Sequence, residues 1–124
     1  MMSNLDYNQI FRDRTKKLCI LILKELSVLK YSEDLAVIRK QIYRSSTSVA
    51  ANYRAVGRAR SEKEKFAKLC VVVEEVDETQ FWLEVIEEMS YLSTEKLNPL
   101  KAECDEIVKV MTTYKKKLQD NLPR

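Results

Sequence analysis

The sequence predicts an all-α protein, an antiparallel up-down-up-down four-helix bundle that forms a single domain over residues 1–124. The chain has one Gly and two Pro, and 45% of its residues are hydrophobic, which is a helix-forming composition. Apolar residues recur at alternating steps of three and four, the spacing of one helix face, and not at the steps of two that strands require. Short connections between long helices make neighbours antiparallel.

The predicted helices cover residues of about 7–30, 33–59, 62–91 and 95–120. Ser32 is a predicted N-cap for the second helix, and Ser61 opens a Ser-x-x-Glu capping box for the third. The fourth helix is predicted to begin near Thr94 or at Asn98-Pro99, where Asn would cap and Pro would be the first helical residue. Its apolar stripe is unbroken: Leu97, Leu100, Cys104, Ile107, Met111, Tyr114 and Leu118.

The segment RSSTSVAANYRAVGRARS, residues 44–61, could be a linker, a phosphate-binding loop or a helix. A phosphate-binding loop needs several glycines and this segment has one. The spacing of three and four continues through it, which predicts a helix with the core stripe Leu35, Ile38, Ile42, Ser45, Val49, Asn52 and Val56. Ser45 is predicted to allow close backbone packing. Asn52 is predicted to be a buried polar residue that fixes register, or alternatively to cap the backbone of a neighbouring chain.

A second stripe of the same helix carries small and aromatic residues: Ala36, Tyr43, Ser46, Ala50 and Tyr53. A lone bundle has no obvious use for a second closely packing stripe, so Tyr43, Ser46, Ala50 and Tyr53 are predicted to lie at a subunit boundary. Two different complementary patches make a heterologous contact, which closes into a ring if the rotation permits. The sequence therefore predicts a cyclic homo-oligomer.

A third stripe of this helix is basic, and residues 39–68 hold nine Lys or Arg against two Glu. Such one-sided charge favours phosphate as a partner. The predicted nucleic-acid contacts are Lys40, Arg44, Arg54, Arg58 and Arg60, with structured RNA as the expected ligand. The alternative is a protein scaffold or accessory subunit whose basic stripe contacts neighbouring subunits or a partner enzyme. The acidic block at residues 74–88 is a solvated face, a partner for a basic surface, or a metal-binding cluster.

The composition argues against an enzyme, a cofactor and a metal site. The chain has no His, which excludes a Ser-His-Asp triad, a His-containing zinc site and the Glu-x-x-His motif of di-iron bundles. The three Cys are far apart among apolar residues, as expected for buried free thiols in a reducing cytoplasm. The longest apolar run, residues 18–23, is too short to span a membrane, and the first residues lack the pattern of a secretion signal. We expect a non-enzymatic cytoplasmic protein.

The segments RSSTSVAANYRAVGRARSEKEKFAKL and VVVEEVDETQFWLEVI resemble the bacterial four-helix-bundle family related to the protein encoded in 23S ribosomal RNA intervening sequences. The matching positions are Arg44, Ser48, Val49, Asn52 and the Gly57-Arg58-Ala59-Arg60-Ser61 turn, and the resemblance covers residues of about 10–120. It implies a cytoplasmic bundle that assembles into a ring, commonly a pentamer, without catalytic residues. A related branch is similar to the accessory subunit of diversity-generating retroelements, which binds reverse transcriptase and nucleic acid. Ala55 stands where many family members have Glu.

Overall fold

The computed structural model describes residues 4–123, with side chains from Tyr7 onward, and this part of the chain contains α-helices and no strand. The helices are α1 (Asn4–Ser27), α2 (Glu33–Val56), α3 (Glu62–Glu88) and α4 (Thr94–Asn121). Each helix packs against the next in the chain, and α1 also touches α4. The predicted four-helix bundle is therefore confirmed. Within the described residues, no helix is long and apolar enough to cross a membrane.

Serine hydroxyls cap three of the helices. Ser32 accepts a hydrogen bond from the Leu35 amide and Ser61 accepts one from the Glu64 amide, both at 3.1 Å. These bonds satisfy amides that have no partner within their own helix. Ser93 accepts from the Lys96 amide at 3.2 Å, so α4 begins at Thr94.

Pro99 lies inside α4 and is not its first residue, so the predicted start near Thr94 is confirmed and the alternative start at Asn98-Pro99 is wrong. Proline has no N–H to bond the carbonyl of the residue four positions earlier, here Glu95. Both residues are exposed, so water can satisfy that carbonyl. The stronger signal was Ser93, which caps a helix that continues past the proline.

The core of the bundle is aliphatic and includes a buried polar contact. Its largest fully buried side chains come from all four helices: Leu18, Ile22, Leu26, Leu35, Ile42, Val49, Leu69, Leu83, Ile86, Leu97, Ile107 and Met111. Ser45 of α2 and Thr79 of α3 are also buried, with their hydroxyl oxygens 2.9 Å apart. The carbonyl oxygen of Glu75 lies 2.8 Å from the Thr79 hydroxyl. Both buried hydroxyl groups therefore have hydrogen-bond partners where α2 packs on α3.

The predicted core stripe of α2 is buried at every position except Asn52, which is half-buried. Tyr53, the next residue, is 3% exposed and belongs to the core there. Val49 and Val56 on either side stay buried, so α2 buries a wider face at this end, where Tyr53 also bonds Asn8 of α1. The Asn52 amide donates to the carbonyl and the hydroxyl of Ser48, at 2.9 and 3.0 Å. These bonds lie within α2, which corrects the prediction that Asn52 fixes register between helices.

The glycine of this chain, Gly57, has a negative φ, and a serine, Ser90, has a positive one. Gly57, which ends α2, has a φ of −67°, and a methyl group there would meet the Arg54 carbonyl oxygen at an ordinary 3.6 Å. Ser90, which follows α3, has a φ of 60°. The Ser90 amide donates to the Glu87 carbonyl and the Tyr91 amide donates to the Ile86 carbonyl, the bonding pattern of a Schellman motif.

We expect Ser90→Gly to raise the free energy of unfolding by about 1 kcal/mol, because an L-residue pays roughly that cost in the left-handed region and glycine does not. Urea denaturation measures the change. Ser90→Ala is the matched control, since it keeps the Cβ atom and should not stabilise the chain. Equal stability of the glycine and alanine variants would contradict the assignment of strain to Ser90.

Candidate nucleic-acid interface

Helix α1 supplies the neighbour for the small and aromatic stripe of α2. Ser46 and Tyr53 are 1% and 3% exposed, and the Tyr53 hydroxyl donates to the Asn8 side-chain oxygen of α1 at 3.2 Å. Their burial inside the chain corrects the prediction that these two residues face another subunit. Tyr43 and Ala50 are half-buried, and Tyr43 packs against the same core. The sequence showed that α2 has two packing faces but not that both are used within the chain.

The α1–α2 contact also contains a buried thiol. Burial raises the pKa of Cys19, and the neighbouring Ser46 hydroxyl opposes part of that rise. The Ser46 hydroxyl oxygen is buried beside this thiol and has no hydrogen-bond partner among the described residues. A protonated, enclosed thiol is a poor nucleophile, so this contact is structural.

The basic stripe of α2 faces solvent. Lys40, Arg54 and Arg58 are exposed and form no ion pair with the part of the chain that the structure describes. Arg60 lies 3.7 Å from Glu64, but 91% of its side chain is exposed, so water screens this pair. These four predicted contacts are accessible to a phosphate.

Arg44, the fifth predicted contact, is bound within the chain. It donates to Glu75 at 3.1 Å and also to Glu78, both on α3. Its side chain remains 50% exposed. Two carboxylates already neutralise this guanidinium, so a phosphate would have to compete with them. Arg44 therefore divides the predicted stripe into Lys40 on one side and Arg54, Arg58 and Arg60 on the other.

The acidic block pairs with basic residues at several points. Besides the Arg44 bonds, Glu87 accepts from Lys101 of α4 at 2.9 Å, which raises the pKa of Lys101. Glu74, Asp77, Glu84 and Glu88 remain exposed on α3. Within residues 4–123 no group of three or more acidic or Cys side chains is placed to hold a metal ion. The block therefore divides: Glu75, Glu78 and Glu87 pair with basic side chains, and the other four carboxylates form a solvated face.

The antiparallel packing collects positive charge at one end of the bundle. This end comprises the last turns of α2, the α2–α3 turn, the start of α3 and the last turns of α4. We call it the basic end; its basic residues are Arg54, Arg58, Arg60, Lys63, Lys65, Lys68, Lys115, Lys116 and Lys117. The acidic residues in the same segments are Glu62, Glu64 and Asp120. The lysines of α4 were not among the predicted contacts, because the sequence alone does not place them at the same end of the bundle as Arg54.

A cleft of about 670 Å³ opens at the basic end, between the start of α1, the end of α2 and the second half of α4. We call it the tyrosine cleft, and its lining includes Tyr7, Asn8, Tyr53, Tyr114, Lys109 and Lys117. Burial raises the pKa of Tyr53 strongly, with a smaller contribution from the nearby phenol of Tyr114. The sequence pattern does not indicate this cleft, because its residues come from three separate helices.

A second cleft, of about 420 Å³, lies further along the α1–α4 groove. The Arg14 guanidinium of α1 bridges the groove and bonds both carboxylate oxygens of Glu103 on α4, one of them at 3.0 Å. These bonds raise the pKa of Arg14. Of the helix pairs that touch, α1 and α4 are the least closely packed, and this ion pair links them across the groove.

Comparison with known proteins identifies the family of the chain. The family model described as 23S rRNA-intervening sequence protein matches residues 8–113. The chain belongs to this family. A solved structure of a protein of unknown function from the S23 ribosomal protein family of Bacteroides thetaiotaomicron is similar, with a TM-score of 0.80 and 28% sequence identity. The match covers 88% of this chain and 97% of that one. No curated protein matches the chain.

Proposed function

We propose that this member of the 23S rRNA-intervening sequence protein family is a non-enzymatic, oligomeric nucleic-acid-binding module of the cytoplasm, with structured RNA as its ligand. The observation that carries the proposal is the basic end, where nine Lys or Arg side chains from three helices and the α2–α3 turn stand against three carboxylates. Of those carboxylates, Glu62 and Glu64 lie beside Lys65 and Arg60, at 3.5 and 3.7 Å. The excess positive charge is therefore available to phosphates, which supply most of the non-specific affinity for nucleic acids.

Arg54 and Arg58 are the best-placed phosphate contacts. Arg54 lies in the last turn of α2 and Arg58 in the turn that follows the helix. Both are exposed and form no ion pair in the described part of the chain. Planar guanidinium groups bind phosphate oxygens in pairs, which lysine cannot do. Lys40 lies about 21 Å from Arg54 along the axis of α2, so it would contact a different part of a long RNA.

Arg54→Ala combined with Arg58→Ala is expected to weaken binding of a 20-nucleotide RNA hairpin by roughly tenfold or more at low salt. It should also reduce the slope of log affinity against log salt by about 2, since two phosphates lose their partners. Fluorescence anisotropy measures both quantities. The matched control is Lys24→Ala with Lys30→Ala, which removes two exposed charges at the opposite end of the bundle. An unchanged slope in the arginine variant would show that these side chains face protein and not phosphate.

The bonds of Arg44 favour a second candidate, a scaffold or accessory subunit that uses the basic stripe for protein contacts. Arg44 already binds the acidic face of α3 within the chain, so a similar acidic face on another protein could bind Lys40, Arg54 and Arg58. Binding of RNA at low salt separates the candidates. The scaffold predicts no affinity for RNA and predicts a protein partner with exposed carboxylates.

We further propose that the chain assembles into a ring of five subunits, the number that the family resemblance implies. Exposed apolar side chains on the outer faces support an assembly, since Val37 of α2 is 62% exposed and Phe81 of α3 is 51% exposed. Light scattering at micromolar concentration should give about five times the subunit mass of 14.6 kDa. A monomer would contradict any ring, and a stable dimer would indicate a two-fold interface instead.

A further inference from the structure

We propose that the tyrosine cleft binds one unstacked base of a single-stranded nucleic-acid segment, together with its phosphate. The inference rests on the proposed function and names the part of the ligand that this site takes: a nucleotide from a loop or bulge. The volume of about 670 Å³ lies in the range of small-ligand sites and is large enough for one nucleotide.

The aromatic side chains of the cleft suit a base. Tyr7 is 47% exposed and lines the cleft, and its ring stacks on the buried Phe11, with ring centroids 5.5 Å apart. Tyr114 is half-buried against the core, which fixes its ring at the α4 side. Tyr53 lies beneath, with its hydroxyl bonded to Asn8. Bases in single strands stack on accessible tyrosine rings, here those of Tyr7 and Tyr114, because every base presents a flat π surface.

The lysines of the cleft suit the phosphate that accompanies the base. Lys109 and Lys117 are both exposed, and neither forms an ion pair with residues that the structure describes. They stand against a single carboxylate in the lining, Glu106. Lys117 is next to Lys115 and Lys116 of the basic end, so a nucleic-acid strand that leaves the cleft meets further positive charge.

A paired base cannot use this site. Within a duplex each base is covered on both faces and its edge is bonded to its partner, so the cleft should select unpaired nucleotides. Arg54, Arg58 and Arg60 make no such distinction, because exposed guanidinium groups meet the phosphates of paired and unpaired RNA alike. The cleft would thus account for a preference between RNA structures that the charge alone does not provide.

The test uses a 10-nucleotide single-stranded RNA with a central 2-aminopurine, whose fluorescence falls when the base stacks. We expect the protein to quench it, and to bind an otherwise identical RNA with an abasic central site roughly 5- to 150-fold more weakly, the effect of one stacking contact. In Tyr114→Leu the intact and abasic RNAs should bind equally. Since Tyr114 also contacts the core, Tyr7→Leu gives the same comparison at a more exposed position.

Tyr31→Leu is the control, because Tyr31 is 69% exposed at the opposite end of the bundle and should keep the full abasic penalty. An abasic penalty of the same size in the wild type and in both cleft variants would overturn the proposed base site. If binding then still weakened with salt, the proposed function would stand without the cleft. Equal quenching of 2-aminopurine in a duplex would also overturn the base site. Absence of binding to any RNA would overturn both proposals.

Discussion

Tyr53→Ala should lower the free energy of unfolding by about 3–5 kcal/mol, the usual cost of removing a buried aromatic side chain. Tyr53 is 3% exposed, fills the end of the core between α1 and α2, and bonds Asn8 through its hydroxyl. The variant loses the packing of the ring and also leaves Asn8 without this partner. Urea denaturation followed by circular dichroism measures the loss.

The same experiment distinguishes a core role from a subunit boundary. A core residue destabilises the chain by the same amount at every protein concentration, whereas a boundary residue acts through assembly and its effect depends on concentration. Tyr31→Ala is the control, and it should change stability by less than about 0.5 kcal/mol because Tyr31 is exposed. A loss in Tyr53→Ala that disappears at high concentration would contradict the placement of Tyr53 in the core.

The chain should lose stability at alkaline pH through Cys104. Burial raises the pKa of Cys104 from 9.0 to about 12, with smaller contributions from Asp105 and Glu103. Below pH 9 the thiol is protonated in both folded and unfolded chains, so its stabilising effect is fully present there. Between pH 9 and 12 the unfolded chain releases the proton and the folded chain does not, which costs about 4 kcal/mol at 1.36 kcal/mol per pH unit.

Urea titrations at pH 7, 9 and 10.5 measure this dependence, with about half of the loss expected by pH 10.5. Cys104→Val removes the ionisable group from a fully buried position and should make the profile less steep above pH 9. The remaining slope comes from Cys19 and Tyr53, whose pKa values burial also raises. Cys70→Val, at a half-buried position of α3, is the control and should keep the wild-type slope. Parallel profiles for the wild type and Cys104→Val would show that this thiol does not govern alkaline stability.

The fold could be predicted because local signals agree with the tertiary structure. Serine caps and the steps of three and four determine where each helix begins and which face it buries, and these signals need no knowledge of the neighbours. The errors are local as well. The residue with left-handed backbone after α3 is Ser90 and not glycine, so the usual stop signal is absent from the sequence. The helix was therefore predicted three residues too long.

The candidate site was less predictable, because its residues come together only through packing. The sequence indicated that one face of α2 carries Arg54 and Arg58, and both are exposed in the structure. It did not show that Arg44 turns toward Glu75 on α3, nor that Tyr7, Tyr53 and Tyr114 from three helices line one cleft. Contacts between residues far apart in sequence produce no periodic pattern, so one sequence alone does not indicate them.

The salt dependence of RNA binding by the wild-type chain tests the central claim most directly. Affinity for the 20-nucleotide hairpin should be measured between about 50 and 200 mM salt, where each phosphate contact adds about 0.9 to the slope. Contact by Arg54, Arg58 and Arg60 alone predicts a log–log slope of about −3, and participation of the α4 lysines makes it steeper. Undetectable binding at the lowest salt, or an affinity that does not change with salt, would contradict nucleic-acid binding by the basic end.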